Sequence, residues 1–270
     1  MNITFIGGGN MARALIGGLL AKGHAAADLR VVEIEGSARA ALIRDFGVTA
    51  FERPEEALAG AECVLLAVKP QQLRAVAGTL AGRLGTATVV SIAAGIRSND
   101  LARWLGGHTR VVRAMPNTPA LVHAGVSGLC AAPGAGAEDR ARAEALLGAV
   151  GRVVWLSEET QMDAVTAVSG SGPAYVFYFI EALEAAGRAL GLDAAQARAL
   201  ALGTFEGAAK LAAGAAESPA ELRARVTSKG GTTEAALASM ESDHLRETIL
   251  RAVQSAADRS RALGDELGKS

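Results

Sequence analysis

The sequence has little cysteine, few aromatic side chains and no excess of either charge, and each shortage removes a class of function. Only two cysteines occur, Cys63 and Cys130. Both fall in apolar runs that read as buried strand, so a disulfide framework is not expected and a reducing cytoplasm is the expected compartment. Lys and Arg total 27 against 28 Asp and Glu, a formal net charge of -1. No cationic field of the kind that draws nucleic acid or anionic lipid is available, so neither partner is expected. The four histidines, His24, His108, His123 and His244, are scattered, and no pair has metal-ligand spacing; no metal site is expected. Aromatic residues make up 4% of the chain. Most of the apolar residues are Ala, Val and Leu, which suit close helix packing. Long apolar runs are missing too. The stretches 114–137 and 164–180 carry no formal charge, but Pro, Gly, Ser and Asn interrupt them, so no membrane span is expected. A first strand near Ile3 leaves no room for the charged and apolar regions of a signal peptide.

What is present is a chain of 270 residues, half apolar and one fifth charged, enough for one large domain or two modest ones. Its first half alternates short apolar runs with helical patterns. Strands are expected at Ile3–Ile6, Arg30–Ile34, Cys63–Val68, Ala87–Ile92, Arg110–Ala114, Gly125–Ala131 and Arg152–Leu156. Helices are expected at Met11–Lys22, Ala38–Phe46, Gln71–Leu80, Asp100–Leu105 and Glu138–Val150. This is the pattern of βαβ units on a doubly wound, mainly parallel sheet whose strands are buried on both faces. After about Glu158 the strand signal stops and helices follow one another. The fold class is therefore α/β, with a dinucleotide-binding domain over 1–158 and an all-helical domain over 159–270. Within the latter, Pro173–Leu190 is apolar almost all round in its first half. A helix apolar on every side needs covering on every side, which predicts a subunit interface.

The segment Ile3-Thr4-Phe5-Ile6-Gly7-Gly8-Gly9-Asn10-Met11-Ala12 is a strand, a glycine turn and a helix start of the form G-x-G-x-x-A. Gly7 permits the tight turn, Gly9 admits a pyrophosphate to the backbone, and Ala12 lets the helix lie close to the sheet. The second strand ends in Val32-Glu33-Ile34-Glu35, which puts carboxylates where a ribose hydroxyl would be bound. Glu35, ahead of Glu33, is the expected ribose ligand; Arg39 and Arg44 lie close enough in sequence to serve a 2′-phosphate instead. NADH and NADPH both stay open, with a lean towards NADH being usable. Ala67-Val68-Lys69-Pro70, Ser91-Ile92-Ala93-Ala94-Gly95 and Met115-Pro116-Asn117-Thr118-Pro119 all fall at the carboxyl edge of the sheet. They are expected to line the nicotinamide half of the cleft.

The chain resembles the pyrroline-5-carboxylate reductases. The resemblance is carried by FIGGGNMARALIGGL (5–19), AVKPQ (67–71), SIAAGI (91–96), RAMPNTPALV (113–122), AVSGSGPAYVFYFIEAL (167–183) and VTSKGGTTEAAL (226–237). It covers essentially the whole length, and the last segment is highly specific. It implies a Rossmann-like domain, a helical domain through which two subunits interlock, and larger rings of such dimers. It implies an active site formed by the cofactor cleft and helical-domain loops, and NAD(P)H-dependent reduction of the cyclic imine to proline. Residue by residue, Ile6, Gly7, Gly8, Gly9, Asn10 and Met11 would bind the pyrophosphate. Ala67, Val68, Lys69, Pro70, Ala93 and Ala94 would flank the ribose and nicotinamide, in the same cleft where the strand-end position already places Asn117. The loop Ser228-Lys229-Gly230-Gly231-Thr232-Thr233, ahead of a helix starting near Glu234, would hold the substrate carboxylate, and Thr233 would touch the imine nitrogen. Many relatives have proline where this chain has Lys229.

Two other readings compete with this one. A related reductase of the same build could act on another imine or on a β-hydroxy acid; the hydroxy-acid enzymes typically place a lysine in the first long helix after the sheet domain as proton donor. Val165 to Ile180 contains none. A catalytically dead nucleotide-binding protein would show damage to the glycine turn or the Gly230–Thr233 loop, and both are intact.

Overall fold

The computed structural model describes residues 1–269. Eight strands form one sheet: β1 (Ile3–Ile6), β2 (Leu29–Val32), β3 (Thr49–Phe51), β4 (Cys63–Leu66), β5 (Thr88–Ser91), β6 (Val111–Met115), β7 (Gly125–Ala131) and β8 (Gly151–Trp155). Their spatial order is β3-β2-β1-β4-β5-β6-β7-β8. All neighbours are parallel except β6 and β7. The chain between β6 and β7 is only residues 116–124 and carries a 3₁₀ turn. It is too short for the helical crossover a parallel neighbour needs, so the strand turns back.

Six helices accompany the strands: α1 (Asn10–Ala21), α2 (Gly36–Phe46), α3 (Pro54–Ala57), α4 (Pro70–Leu80), α5 (Ser98–Trp104) and α6 (Ala137–Leu147). The two-residue period of the strands sorts side chains to the two faces. Phe5 and Leu65 join Leu15, Ile16 and Leu19 of α1, Leu42 of α2 and Leu146 of α6 in one core. Ile6, Val64 and Leu66 join Leu73 of α4 and Leu101 of α5 in the other. That is why the expected strands read as unbroken apolar runs.

Next come α7 (Met162–Val165), a π-helical turn (Thr166–Gly170), α8 (Gly172–Ala189), α9 (Ala194–Gly214), α10 (Pro219–Arg225), α11 (Thr232–Ser242) and α12 (Leu245–Lys269). The chain forms two compact units, residues 172–255 and the remainder. The boundary expected at 158/159 therefore differs from the structural one. Residues 159–171 and the end of α12 are held by partners on the sheet unit. Glu159 accepts hydrogen bonds from Ser98 and pairs with the buried Arg113 (3.0 Å). In the last turns of α12, Ser260 donates to Asp163 (2.7 Å) and Asp265 pairs with Arg97. In the other unit α8 packs on α9. Within this single chain α8 is not buried all round, because Val176, Phe177, Tyr178 and Leu183 are exposed. The short β3 and α3 lie outside the strands and helices expected from the sequence.

Asp139 ties α6 to the sheet. Its buried carboxylate accepts from Thr88 Oγ1 (2.5 Å), the Gly136 N–H (2.8 Å) and Arg110 Nε (2.9 Å). Burial alone would raise its pKa, but these donors reverse that, and the group sits below its ordinary 3.8. A depressed carboxylate contributes stability that is complete above the unfolded-state value and is lost as pH falls through the folded one. Asp139→Asn is therefore expected to cost about 1–3 kcal/mol at neutral pH. Urea midpoints of variant and parent should converge below about pH 4; a gap that stays constant with pH would contradict the ionised role.

Candidate active site

The first candidate region lies at the carboxyl ends of β1, β2 and β4, where the strand order reverses and doubly wound sheets bind ligands. It is an open cleft of about 750 Å³ lined by Ile6, Gly7, Gly8, Gly9, Glu33, Val68 and Lys69, among others. Gly7 has φ +102°, and a Cβ there would stand 2.7 Å from the Ala67 carbonyl oxygen. Glycine is thus required by both backbone conformation and space. Gly9 is the N-cap of α1, and a Cβ on it would meet nothing within 4 Å, so the space in front of the helix is open. No side chain caps α1 and no acid stands in its first turn. Its first amides are left for an outside acceptor, and the helix dipole favours an anion there. Ala12 is buried, as close helix–sheet packing requires.

Of the two acids after β2, Glu33 is the one that lines this cleft. β2 stops at Val32, two residues earlier than the sequence pattern indicates, so Glu33 is the first residue past the strand. Its carboxylate accepts from the Gly8 N–H and the Glu35 N–H, both at 3.0 Å. Glu35 instead serves as the N-cap of α2, its side chain accepting from the Ser37 N–H and Oγ. Arg39 and Arg44 are also engaged. Arg39 donates to the carbonyls of Glu33 (2.7 Å) and Ile34 (2.9 Å) and pairs with Glu52, and Arg44 pairs with Asp45. Sequence reasoning missed Glu52 and Arg53, which line the cleft from the loop after β3. Their signal was hidden because β3 itself was not expected.

The remaining expected cofactor residues lie at neighbouring positions of the same unit. Asn10 and Met11 open α1, and Pro70 opens α4 after Ala67, Val68 and Lys69. Ala93 and Ala94 follow β5, and the Ala93 N–H bonds to Ser91 Oγ (3.4 Å). Asn117 is buried, and its amide works as a brace. Its Nδ2 donates to the Ser169 carbonyl (3.2 Å) in the π-helical turn, and its Oδ1 accepts from the Val126 N–H (2.9 Å) on β7. The π turn itself carries no sequence signal; single π turns often stand at functional sites.

The second candidate region is the Ser228–Thr233 loop of the helical unit. Gly230 has φ +73°, and the Gly231 N–H bonds back to the Ser228 carbonyl (3.0 Å). The turn delivers Gly231 as N-cap of α11, which starts at Thr232, two residues before the position expected. Thr232 and Thr233 are thereby in the first helical turn. No side chain caps this helix; Glu234 folds back onto the Gly230 N–H (2.6 Å). Uncapped first-turn amides, a hydroxyl at Thr233 and an exposed Lys229 together suit a small carboxylate. Among the described residues, no group of His, Cys, Asp and Glu is arranged to hold a metal ion.

Comparisons with known proteins cover both parts of the chain. Residues 159–263 match the family model for pyrroline-5-carboxylate reductase dimerisation. Residues 2–95 match that for NADP oxidoreductase, coenzyme F420-dependent. A pyrroline-5-carboxylate reductase of Pseudomonas aeruginosa is 47% identical, covering 99% of this chain and 98% of its own length. One from Arabidopsis thaliana is 39% identical over 97% and 95%. Among solved structures, the pyrroline-5-carboxylate reductase of Coxiella burnetii superposes with a TM-score of 0.93 at 40% identity, covering 97% of this chain and 98% of that one. The Plasmodium falciparum pyrroline carboxylate reductase with NADP bound gives 0.86 at 27% identity, with 98% of both chains covered.

Replacing Asn117 by Ala removes both hydrogen bonds, leaving the Ser169 carbonyl without this donor and the Val126 N–H without its acceptor. The expected loss is about 1–3 kcal/mol of stability, read as a lower urea midpoint at fixed protein concentration. An unchanged midpoint would show that the brace carries no energy.

Proposed function

Because the chain belongs to the pyrroline-5-carboxylate reductase family, we propose how its two candidate regions share the reduction of 1-pyrroline-5-carboxylate to L-proline. That reaction, the last step of proline biosynthesis, is NAD(P)H-dependent hydride transfer to a cyclic imine. The observation that carries the proposal is the pair of glycine-capped helix starts, at Gly9 and Gly231, each with amides that no side chain of the chain satisfies.

The open space before α1 and the close approach of Gly7 to Ala67 fit a dinucleotide pyrophosphate. Ile6 to Met11 would hold it, with Ala67 to Pro70 and Ala93–Ala94 beside the ribose and nicotinamide. Asn117 would act by fixing the backbone around them. Bound NAD(P)H supplies the hydride.

The substrate has one carboxylate and one C=N bond, and the Ser228–Thr233 loop answers both. Ser228, Gly230, Gly231 and Thr232 would surround the carboxylate, with the uncapped first-turn N–H groups of α11 and the helix dipole as its donors and no dedicated arginine, since the Gly230 N–H is given to Glu234 and the Gly231 N–H to the Ser228 carbonyl. The carboxylate is thus the handle that aims the ring. Thr233 would offer its hydroxyl to the ring nitrogen. A hydroxyl has no pKa near neutrality and is a poor general acid. The imine therefore arrives protonated or takes its proton from water, and the protein contributes mainly proximity and orientation.

Self-association through the helical unit accords with the dimerisation match and with the apolar side chains exposed on α8 and α9, such as Phe177, Tyr178, Leu200 and Leu211. Rings of dimers and a cytoplasmic location belong to the same proposal. Among the described residues, no helix is long and apolar enough to cross a membrane.

The test is NAD(P)H oxidation followed by absorbance, with pyrroline-5-carboxylate as substrate and each nucleotide in parallel. Turnover is expected; none with either nucleotide, from folded and self-associated protein, would overturn the assignment. In the same assay Lys229→Ala should raise KM by up to about fivefold, the worth of one exposed charge pair, and leave kcat nearly unchanged. Unaltered saturation would show that the lysine does not meet the carboxylate.

A further inference from the structure

We propose that the cleft selects NADH over NADPH and that Glu33 enforces the choice. This rests on the reading of the cleft as the dinucleotide site and on nothing about the imine.

In a doubly wound sheet the adenosine ribose lies beyond the end of the second strand, where an acid accepts from the 2′-hydroxyl or a nearby arginine takes a 2′-phosphate. Here the first residue past β2 is Glu33, and it lines the cleft. Its carboxylate is held in place from two sides: the Gly8 N–H bonds to Oε2 and the Glu35 N–H to Oε1, each at 3.0 Å. A carboxylate has about four acceptor positions, so two occupied by backbone leave others for a ribose hydroxyl. Because the group is fixed to the glycine turn, it cannot swing away from a phosphate. A 2′-phosphate would then be brought against a carboxylate, and such like-charge juxtaposition is the repulsive half of specificity.

The cations that would reverse this are accounted for. Arg39 stands next to Glu33 in space, yet its guanidinium bonds to the Glu33 and Ile34 carbonyls and to Glu52. Releasing it for a phosphate would leave those acceptors unmet. Arg44 is paired with Asp45 and stays in solvent. Lys69 follows β4, on the other side of the glycine turn from β2. Among the described residues, Arg53, after β3, is the remaining cation that lines this end of the cleft, and it is the competitor that the experiment must remove.

The experiment titrates the purified full-length protein with NADH and with NADPH, followed by nucleotide fluorescence, and with 5′-AMP and 2′,5′-ADP by calorimetry. No imine is present, so an error in the substrate assignment cannot affect the result. The parent is expected to bind NADH and 5′-AMP at least about tenfold more tightly than their 2′-phosphorylated counterparts, a difference of about 1.4 kcal/mol. Glu33→Gln keeps an acceptor for Gly8 but removes the charge. It should narrow the ratio at least about threefold, chiefly by tightening NADPH, while Arg53→Ala leaves the ratio as in the parent. Equal or tighter binding of NADPH by the parent would overturn the proposal without needing any variant to fold. So would a ratio indifferent to Glu33→Gln, or NADPH binding that collapses in Arg53→Ala. Failure of all four nucleotides to bind would remove the dinucleotide site together with the proposal.

Discussion

A helix leaves its first backbone N–H groups without partners inside itself, and this chain treats that shortage differently from helix to helix. At α2, α9 and α10 the residue ahead of the helix turns a side chain inward: Glu35, Asp193 and Ser218 accept from amides of the first turn. α6 begins on a glycine but supplies its own negative charge with Glu138 and Asp139. At α1 and α11 the residue ahead is a glycine and no side chain caps the turn. Under the proposed function, a pyrophosphate and a carboxylate are the anions these amides would take. The surrounding structure serves to present them: the β1–β4 junction holds Gly7 against Ala67, and the turn at Gly230 delivers Gly231 to its cap position.

The parts of the fold legible in the sequence are those in which local pattern and tertiary role agree. β1 and β7 stand where the apolar runs place them, because strands covered on both faces must be apolar throughout. β3 went unseen because three residues, one of them exposed, carry neither alternation nor an apolar run. The start of α11 was placed at Glu234 because Thr232 and Thr233 are weak helix formers inside a helix, although both are acceptable in its first turn. The domain boundary was read from where strands stop. In the folded chain it is set by long-range partners instead, such as Arg113 for Glu159 and Asp163 for Ser260, and spacing contains nothing that announces them.

The acids after β2 show how a short error in a strand end propagates to the site. Reading the strand through Ile34 makes Glu35 the next residue and so the ribose ligand. With β2 ending at Val32, Glu33 is the first residue past the strand and lines the cleft, while Glu35 caps α2. The same two carboxylates are present in both readings, and only backbone geometry decides which one faces the cleft. Glycine spacing, by contrast, was safe to read directly, since Gly7 is demanded by steric contact and not by propensity.

The apolar side chains left uncovered on α8 and α9 have a consequence for the life of the chain in the cell. A single chain exposes Phe177, Tyr178 and Leu211 to water, and such surface invites aggregation and chaperone attention unless self-association covers it. Folded lifetime then depends on how much of the protein is present, since a chain stabilised by its twin is stabilised by mass action. Dilution, more than heat, is the condition under which it would be expected to fail first.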